Sequence, residues 1–169
     1  LLNALDSKAL SNITLNPAAE YMMDNNFEKL INDGNLFTLM ANYVLVEMSY
    51  FQPPINLEEI IFKLKNLGYQ PVLAHPERYA FYHNKKEYYK RLKQLGCYFQ
   101  LNLLSLSDHY GKHVGKMAYY LIEENLIDFI ATDTHNLNHI GKLSKLKLYK
   151  KSALSLSNII KKTNNTFTQ

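Results

Sequence analysis

The sequence has a single cysteine and no tryptophan, and its 169 residues include only 6 glycines and 5 prolines. One thiol excludes a disulfide framework, and so little glycine and proline excludes a collagen-like or low-complexity chain. Cys97, at the start of an expected strand, has no partner and reads as a buried, inert thiol in a reducing, cytoplasmic setting. No apolar run approaches the roughly 20 residues that span a bilayer, and no charged stretch followed by an apolar run marks a signal peptide. An excess of one charge is also missing, since 19 Lys and Arg face 15 Asp and Glu for a net +4. The basic residues concentrate only at 85–93 and 142–151 (KLSKLKLYKK). Both segments read as solvated faces of amphipathic helices, which argues against a nucleic-acid stripe.

What is present is an ordinary globular composition, 47% hydrophobic and 20% charged. A chain of this length can bury roughly 70% of its unfolded surface in one domain. Short apolar or β-branched runs (SNITLNP, NYVLVEM, YQPVLAH, CYFQLN and IDFIATD) alternate with stretches of helical periodicity at 24–33, 56–67, 85–95 and 113–125. Asp24 and Asn56 stand where N-caps belong, and Gly68 and Gly96 where left-handed residues close helices. The end of the chain, roughly 143–162, reads as helices packed outside the sheet, with NNTFTQ as a frayed tail.

Strands alternating with helices imply a parallel α/β sheet, either open and doubly wound or closed into a barrel. No glycine-rich phosphate loop follows any strand, which lowers the nucleotide-binding version. Parallel folds carry their reactive groups where strands end, and those positions read Glu20, Glu47, His75, Asn102 and Asp133, with His135 two residues on. Carboxylates and imidazoles converging on one point need a cation to offset their burial. Oxygen and nitrogen donors without thiolate suit Mn, Fe or Zn, and the carboxylate content allows bridging in a multinuclear site. Arg78, three residues after His75, can grip a phosphate or carboxylate with two parallel donors or pair with Glu77 or another neighbouring acid. His83, His109, His113 and His139 are weaker candidates. Tyr50, Phe51, Tyr79 and Tyr110 fall on loops that would roof the site. Neither the serines nor Cys97 sit in a nucleophile motif, so a covalent intermediate is not expected.

Four segments, NPAAEYMMD, LAHPERY, FQLNLLSLSDHYGK and FIATDTHN, together resemble the bacterial PHP-domain tyrosine-protein phosphatases of capsular and exopolysaccharide operons. The resemblance implies a distorted, TIM-like (βα) barrel of seven strands, of which about five units fall in residues 1–169. The chain would thus be a single PHP-type domain, incomplete at its N-terminus. It implies Glu20, Glu47, His75, Asp133 and His135 as metal ligands and Arg78 as the phosphate-facing catalytic residue. Up to three divalent metal ions are implied, manganese first with iron or zinc as alternatives. The implied reaction is hydrolysis of phosphotyrosine by a metal-bound hydroxide, and the implied partner is the cytoplasmic autokinase that controls polysaccharide export. The sequence departs from the family pattern in having no H-x-H motif before Glu20, Thr134 where alanine is usual, and the HIGK stretch where a second arginine is often found. Two other functions compete: phosphoester hydrolysis of a small substrate such as histidinol phosphate, and a non-catalytic scaffold.

Overall fold

A computed structural model describes residues 16–167. Five parallel strands, β1 (Glu20–Met22), β2 (Tyr43–Glu47), β3 (Gln70–Ala74), β4 (Tyr98–Asn102) and β5 (Phe129–Ala131), form one sheet in sequential order. Helices α1 (Asn25–Asp33), α2 (Leu57–Asn66), α3 (Glu87–Gln94) and α4 (Lys112–Glu123) make the crossovers, and α5 (Leu137–Leu143) and α6 (Ala153–Phe167) follow the last strand. A doubly wound sheet reverses its strand order at a switch point. This sheet has no reversal among the described residues.

Local chemistry accounts for the helix ends. The Asp24 carboxylate accepts the backbone N–H groups of Asn26 and Phe27, both at 2.9 Å, a cap worth about 1 kcal/mol. Asn56 occupies the corresponding position before α2 but does not cap with its side chain; its amide donates to Glu28 at 2.8 Å, tying α2 to α1. Gly68 and Gly96 take φ of +85° just past α2 and α3, as their positions in the sequence require.

The sheet divides the apolar residues by alternation. Val44, Val46, Leu73, Phe99, Leu101 and Ile130 face the helices, meeting Phe27, Ile61, Leu64, Leu92 and Leu121 in the main core. Burying each such side chain contributes about 1.5–3 kcal/mol. The other face carries a smaller cluster, Leu45, Val72, Ala74 and Phe129, flanked by Tyr43, Tyr98 and Phe167. Asp128 anchors α6 beneath this cluster by accepting from Lys162 at 2.9 Å, from Lys93, and from the Phe99 N–H at 2.9 Å.

Three expectations change. The run SNITLNP falls largely outside the described residues, and the stretch LLNALDSKAL at 1–10, which reads in the sequence as the end of a helix, falls wholly outside them. Asn16 and Pro17 are not in a strand, and Glu20 opens β1 instead of following it. The segment 142–151 is not one helix: α5 stops at Leu143, where the Ser144 hydroxyl caps the Gly141 carbonyl at 3.1 Å, and the chain runs irregularly to a short 3-10 turn at Lys150–Ser152. The expected frayed tail instead continues α6 to Phe167, because the Phe167 ring packs 4.8 Å from Phe129 and 5.4 Å from Tyr43.

Candidate metal centre

Glu20, Glu47, Gln100, Asn102 and Ala131 share one face of the sheet by alternation, and Asp133 follows β5 by two residues. A cleft of about 130 Å³ opens at this end of the sheet, lined by Glu20, His75, Gln100, Asn102 and Asp133 among others. Two of its residues have backbones bent into the left-handed region: His75 at φ +36° and Asp133 at φ +48°. Neither is glycine, so each holds about 1–3 kcal/mol of strain that the surrounding structure must offset, a pattern found at functional sites. His75 still donates its N–H to the Gln100 carbonyl at 2.8 Å, so β3 stays paired with β4 while the chain turns into Pro76–Arg78.

That turn brings His75 to the two glutamates. Its Nε2 lies 3.1 Å from Oε1 of Glu20 and 3.6 Å from Oε2 of Glu47. One donor atom from each residue lies within 4.8 Å of the other two, close enough for a single ion. Burial opposes protonation of His75, but the two carboxylates outweigh it and push its pKa up to about 9. Nδ1 of His75 is buried with no hydrogen-bond partner among the described residues, and the Tyr50 and Tyr79 rings flank the imidazole at 5.7 Å each.

The other sequence candidates are arranged differently. Asp133 lines the cleft, but its Oδ2 accepts from Asn102 at 3.0 Å and lies 3.4 Å from Nη1 of Arg78. His135 is mostly exposed and bonds through Nδ1 to the Asp133 carbonyl at 2.9 Å. Neither joins the close group of Glu20, Glu47 and His75. Arg78 is not paired with Glu77. Its guanidinium lies between two rings, 4.2 Å from the centre of Tyr110 and 4.7 Å from that of Tyr50. His83 bonds the Glu77 carbonyl at 2.8 Å, and its ring lies 5.7 Å from that of His113. His109, His139 and Lys142 meet on the rim, with Lys142 Nζ 2.8 Å from Nδ1 of His109.

Sequence reading missed two residues here. Gln100 lines the cleft and was signalled by its place two residues before Asn102 on the same face. Glu77 is fully buried, accepting from the Ser105 hydroxyl at 2.6 Å and the Asn102 N–H at 3.1 Å. Burial pushes its pKa up. No feature of HPER distinguishes a buried glutamate from an exposed one.

A family model described as capsular polysaccharide synthesis, CpsB/CapC, matches residues 2–152. The tyrosine-protein phosphatase CpsB of Streptococcus agalactiae is 36% identical over 103 residues, 58% of this chain and 42% of that protein. The tyrosine-protein phosphatase YwqE of Bacillus subtilis is 34% identical over 97 residues, 57% of this chain and 38% of that protein. The chain thus spans well under half the length of these curated relatives. Among solved structures, a match comes from work on YwqE of B. subtilis and CpsB of Streptococcus pneumoniae, described as metal-dependent tyrosine phosphatases. It has a TM-score of 0.68 and 26% identity, covering 85% of this chain and 62% of that one.

Proposed function

The chain belongs to the CpsB/CapC family of capsular polysaccharide synthesis, and from that membership we propose that it is a metal-dependent phosphatase acting on protein phosphotyrosine. The observation that carries the reading is the convergence of Glu20, Glu47 and His75 on one point. Two carboxylates and an imidazole fit a divalent ion of the Mn, Fe or Zn kind, with manganese the first choice. The raised proton affinity of His75 is the behaviour of a site with negative charge to spare. In this reading Asp133 and His135 hold further ions, up to three in all. A bound divalent ion supplies positive charge to phosphoryl oxygens and lowers the pKa of water toward neutrality.

The chain's own residues do the positioning. Among the described residues Arg78 keeps donors free beyond its contact with Asp133, and a guanidinium stacked on two rings is pre-set for a two-pronged grip on phosphate. Asn102 fixes Asp133 from the other side. Tyr50 and Tyr110 offer flat walls to the aryl ring of the substrate. In this reading the five βα units are part of a distorted barrel of seven, supported by the sequential strand order. The substrate is the phosphotyrosine-bearing autokinase of polysaccharide export, and the setting is cytoplasmic, supported by the lone buried thiol of Cys97, whose pKa burial pushes up to about 12. Among the described residues no helix is long and apolar enough to cross a membrane.

The test pairs elemental analysis with turnover. Purified with manganese, the chain should hold at least one equivalent of metal, lose it in Glu20→Ala, and hydrolyse a phosphotyrosyl peptide faster than histidinol phosphate. Turnover of histidinol phosphate alone would replace the substrate, and absence of bound metal would leave the scaffold.

A further inference from the structure

The irregular segment after α5 passes over α4, and between them lies a groove of about 510 Å³. Lys112 and Lys116 project from the α4 side, and Lys147 and Lys151 from the opposite wall. Tyr119 is buried at the base, its ring 4.3 Å from that of the exposed Tyr149 and inclined by 31°. The only lining carboxylate among the described residues is Glu123, and it is taken by Lys151 at 2.5 Å. The other three ammonium groups have no carboxylate partner among the described residues. Like charges gathered on one concave surface repel one another and raise the local concentration of anions.

The groove therefore joins two chemistries: ammonium groups without a carboxylate partner among the described residues, which take a multiply charged anion, and the exposed ring of Tyr149, which takes a flat apolar body. A carboxylate side chain would satisfy the first and leave the second unused. A phosphotyrosyl side chain satisfies both, with a near-dianionic phosphate on an aryl ring. Among the described residues no imidazole lines the groove and its one carboxylate is paired, so the lining does not match the Glu20, Glu47 and His75 group. We propose that this groove is a non-catalytic docking site for a second phosphotyrosyl side chain of the protein substrate. The identity of that partner rests on the proposed phosphatase function. Ser107 and Lys112 line the groove on either side of Tyr110, whose ring covers Arg78, so one loop serves both places. A substrate anchored in the groove would raise the effective concentration of its neighbouring phosphotyrosine at the catalytic cleft.

The test measures binding without turnover. The probe is a fluorescein-labelled peptide carrying one phosphonodifluoromethyl-phenylalanine, a phosphotyrosine mimic that cannot be hydrolysed, read by anisotropy in EDTA. Arg78→Ala provides the background, so that the catalytic cleft contributes least. Adding Lys116→Ala and Lys147→Ala should weaken binding about tenfold or more, since each removes a cation from a partly enclosed site. The same peptide with plain phenylalanine should bind more weakly by a similar factor, and dextran sulfate at matched charge should not displace the probe. Unchanged affinity in the lysine variant, equal binding of the phenylalanine peptide, or displacement by dextran sulfate would each overturn the proposal, the last in favour of a general polyanion surface. Because the readout needs neither metal nor catalysis, failure of the phosphatase reading appears in turnover alone. Failure of the docking site appears here.

Discussion

Nε2 of His75 stands 3.1 Å from Oε1 of Glu20, although the strands that carry the two residues are separated in the sheet by β2. The contact reaches over β2 because Glu20 opens β1, whereas His75 follows the end of β3 and its backbone swings into the left-handed region. Glu47, at the end of the intervening strand, completes the group from its own side at 3.6 Å. Two strands and the turn that follows a third thus contribute one donor each.

The metal-free chain should carry the mark of this arrangement in its pH dependence. The folded pKa of His75 is about 9, against an ordinary value of 6.5. A group that binds its proton more tightly when folded stabilises the fold fully below the unfolded pKa and loses that contribution as pH rises through the folded one. In EDTA, Tm should therefore fall between pH 6.5 and 9, and His75→Gln should flatten that fall. Adding manganese should abolish it, because the ion replaces the proton. A Tm that is level over this window in EDTA would mean that the proton does not bridge the carboxylates.

Arg78→Lys tests whether the stacked guanidinium matters as a fork or only as a charge. Lysine keeps the charge but can neither lie flat between Tyr50 and Tyr110 nor present two parallel donors. The expected result is a loss of about 100-fold in kcat/KM on a phosphotyrosyl peptide, the size seen when one preorganised donor is removed. Metal content should be unchanged, and Tm should move little because the ion pair with Asp133 is partly exposed. An equal loss of metal would show that Arg78 acts through Asp133 instead.

Much of this site was legible from spacing. Alternation in β2 and β4 places Glu47 and Asn102 on one face, and the chain Ala74–His75–Pro76 announces the end of β3. What the sequence could not show is the stagger between strands. Glu20 pairs with Leu45, one layer below Glu47, and only the register reveals that it meets His75 and not Asp133. Left-handed backbone at His75 and Asp133 is equally hidden, because neither residue type demands it. The segment 142–151 misled for a different reason. Its leucines and lysines have helical spacing, but Ser144 closes α5 and Tyr149 turns back to the Tyr119 ring, so tertiary contacts override the periodicity.

Tyr79→Phe should reveal how the HPER turn is tied to β2. The Tyr79 hydroxyl accepts the Met48 N–H at 2.9 Å in the core, and the ring is fully buried beside His75. Removing the oxygen leaves a buried N–H without a partner, at a cost of about 1–3 kcal/mol. Chemical denaturation should register that loss with an unchanged m-value. Metal affinity should fall as well, because Met48 follows Glu47 directly and its freed backbone no longer fixes the carboxylate.

Glu77 gives the sharpest contrast between two substitutions at one position. Its Oε1 takes the Ser105 hydroxyl and the Asn102 N–H, while Oε2 is buried without a partner among the described residues. Burial pushes its pKa up, so the surroundings penalise the charged form. Glutamine keeps an oxygen at Oε1, fills the same volume and carries no charge, though its amide N–H groups replace an Oε2 that has no partner among the described residues, so Glu77→Gln should cost about 1 kcal/mol, well short of the alanine variant. Glu77→Ala removes the acceptor, strands two donors and opens a void between the HPER turn and β4, for a loss of about 2–4 kcal/mol. Asn102, which positions Asp133, would lose its backbone anchor in the alanine variant only. Urea denaturation of the two variants separates the outcomes. If glutamine proved as damaging as alanine, the negative charge itself would be required, and the HPER turn would have to be held by attraction to the protonated or metal-bearing His75 and not by the hydrogen bonds to Ser105 and Asn102.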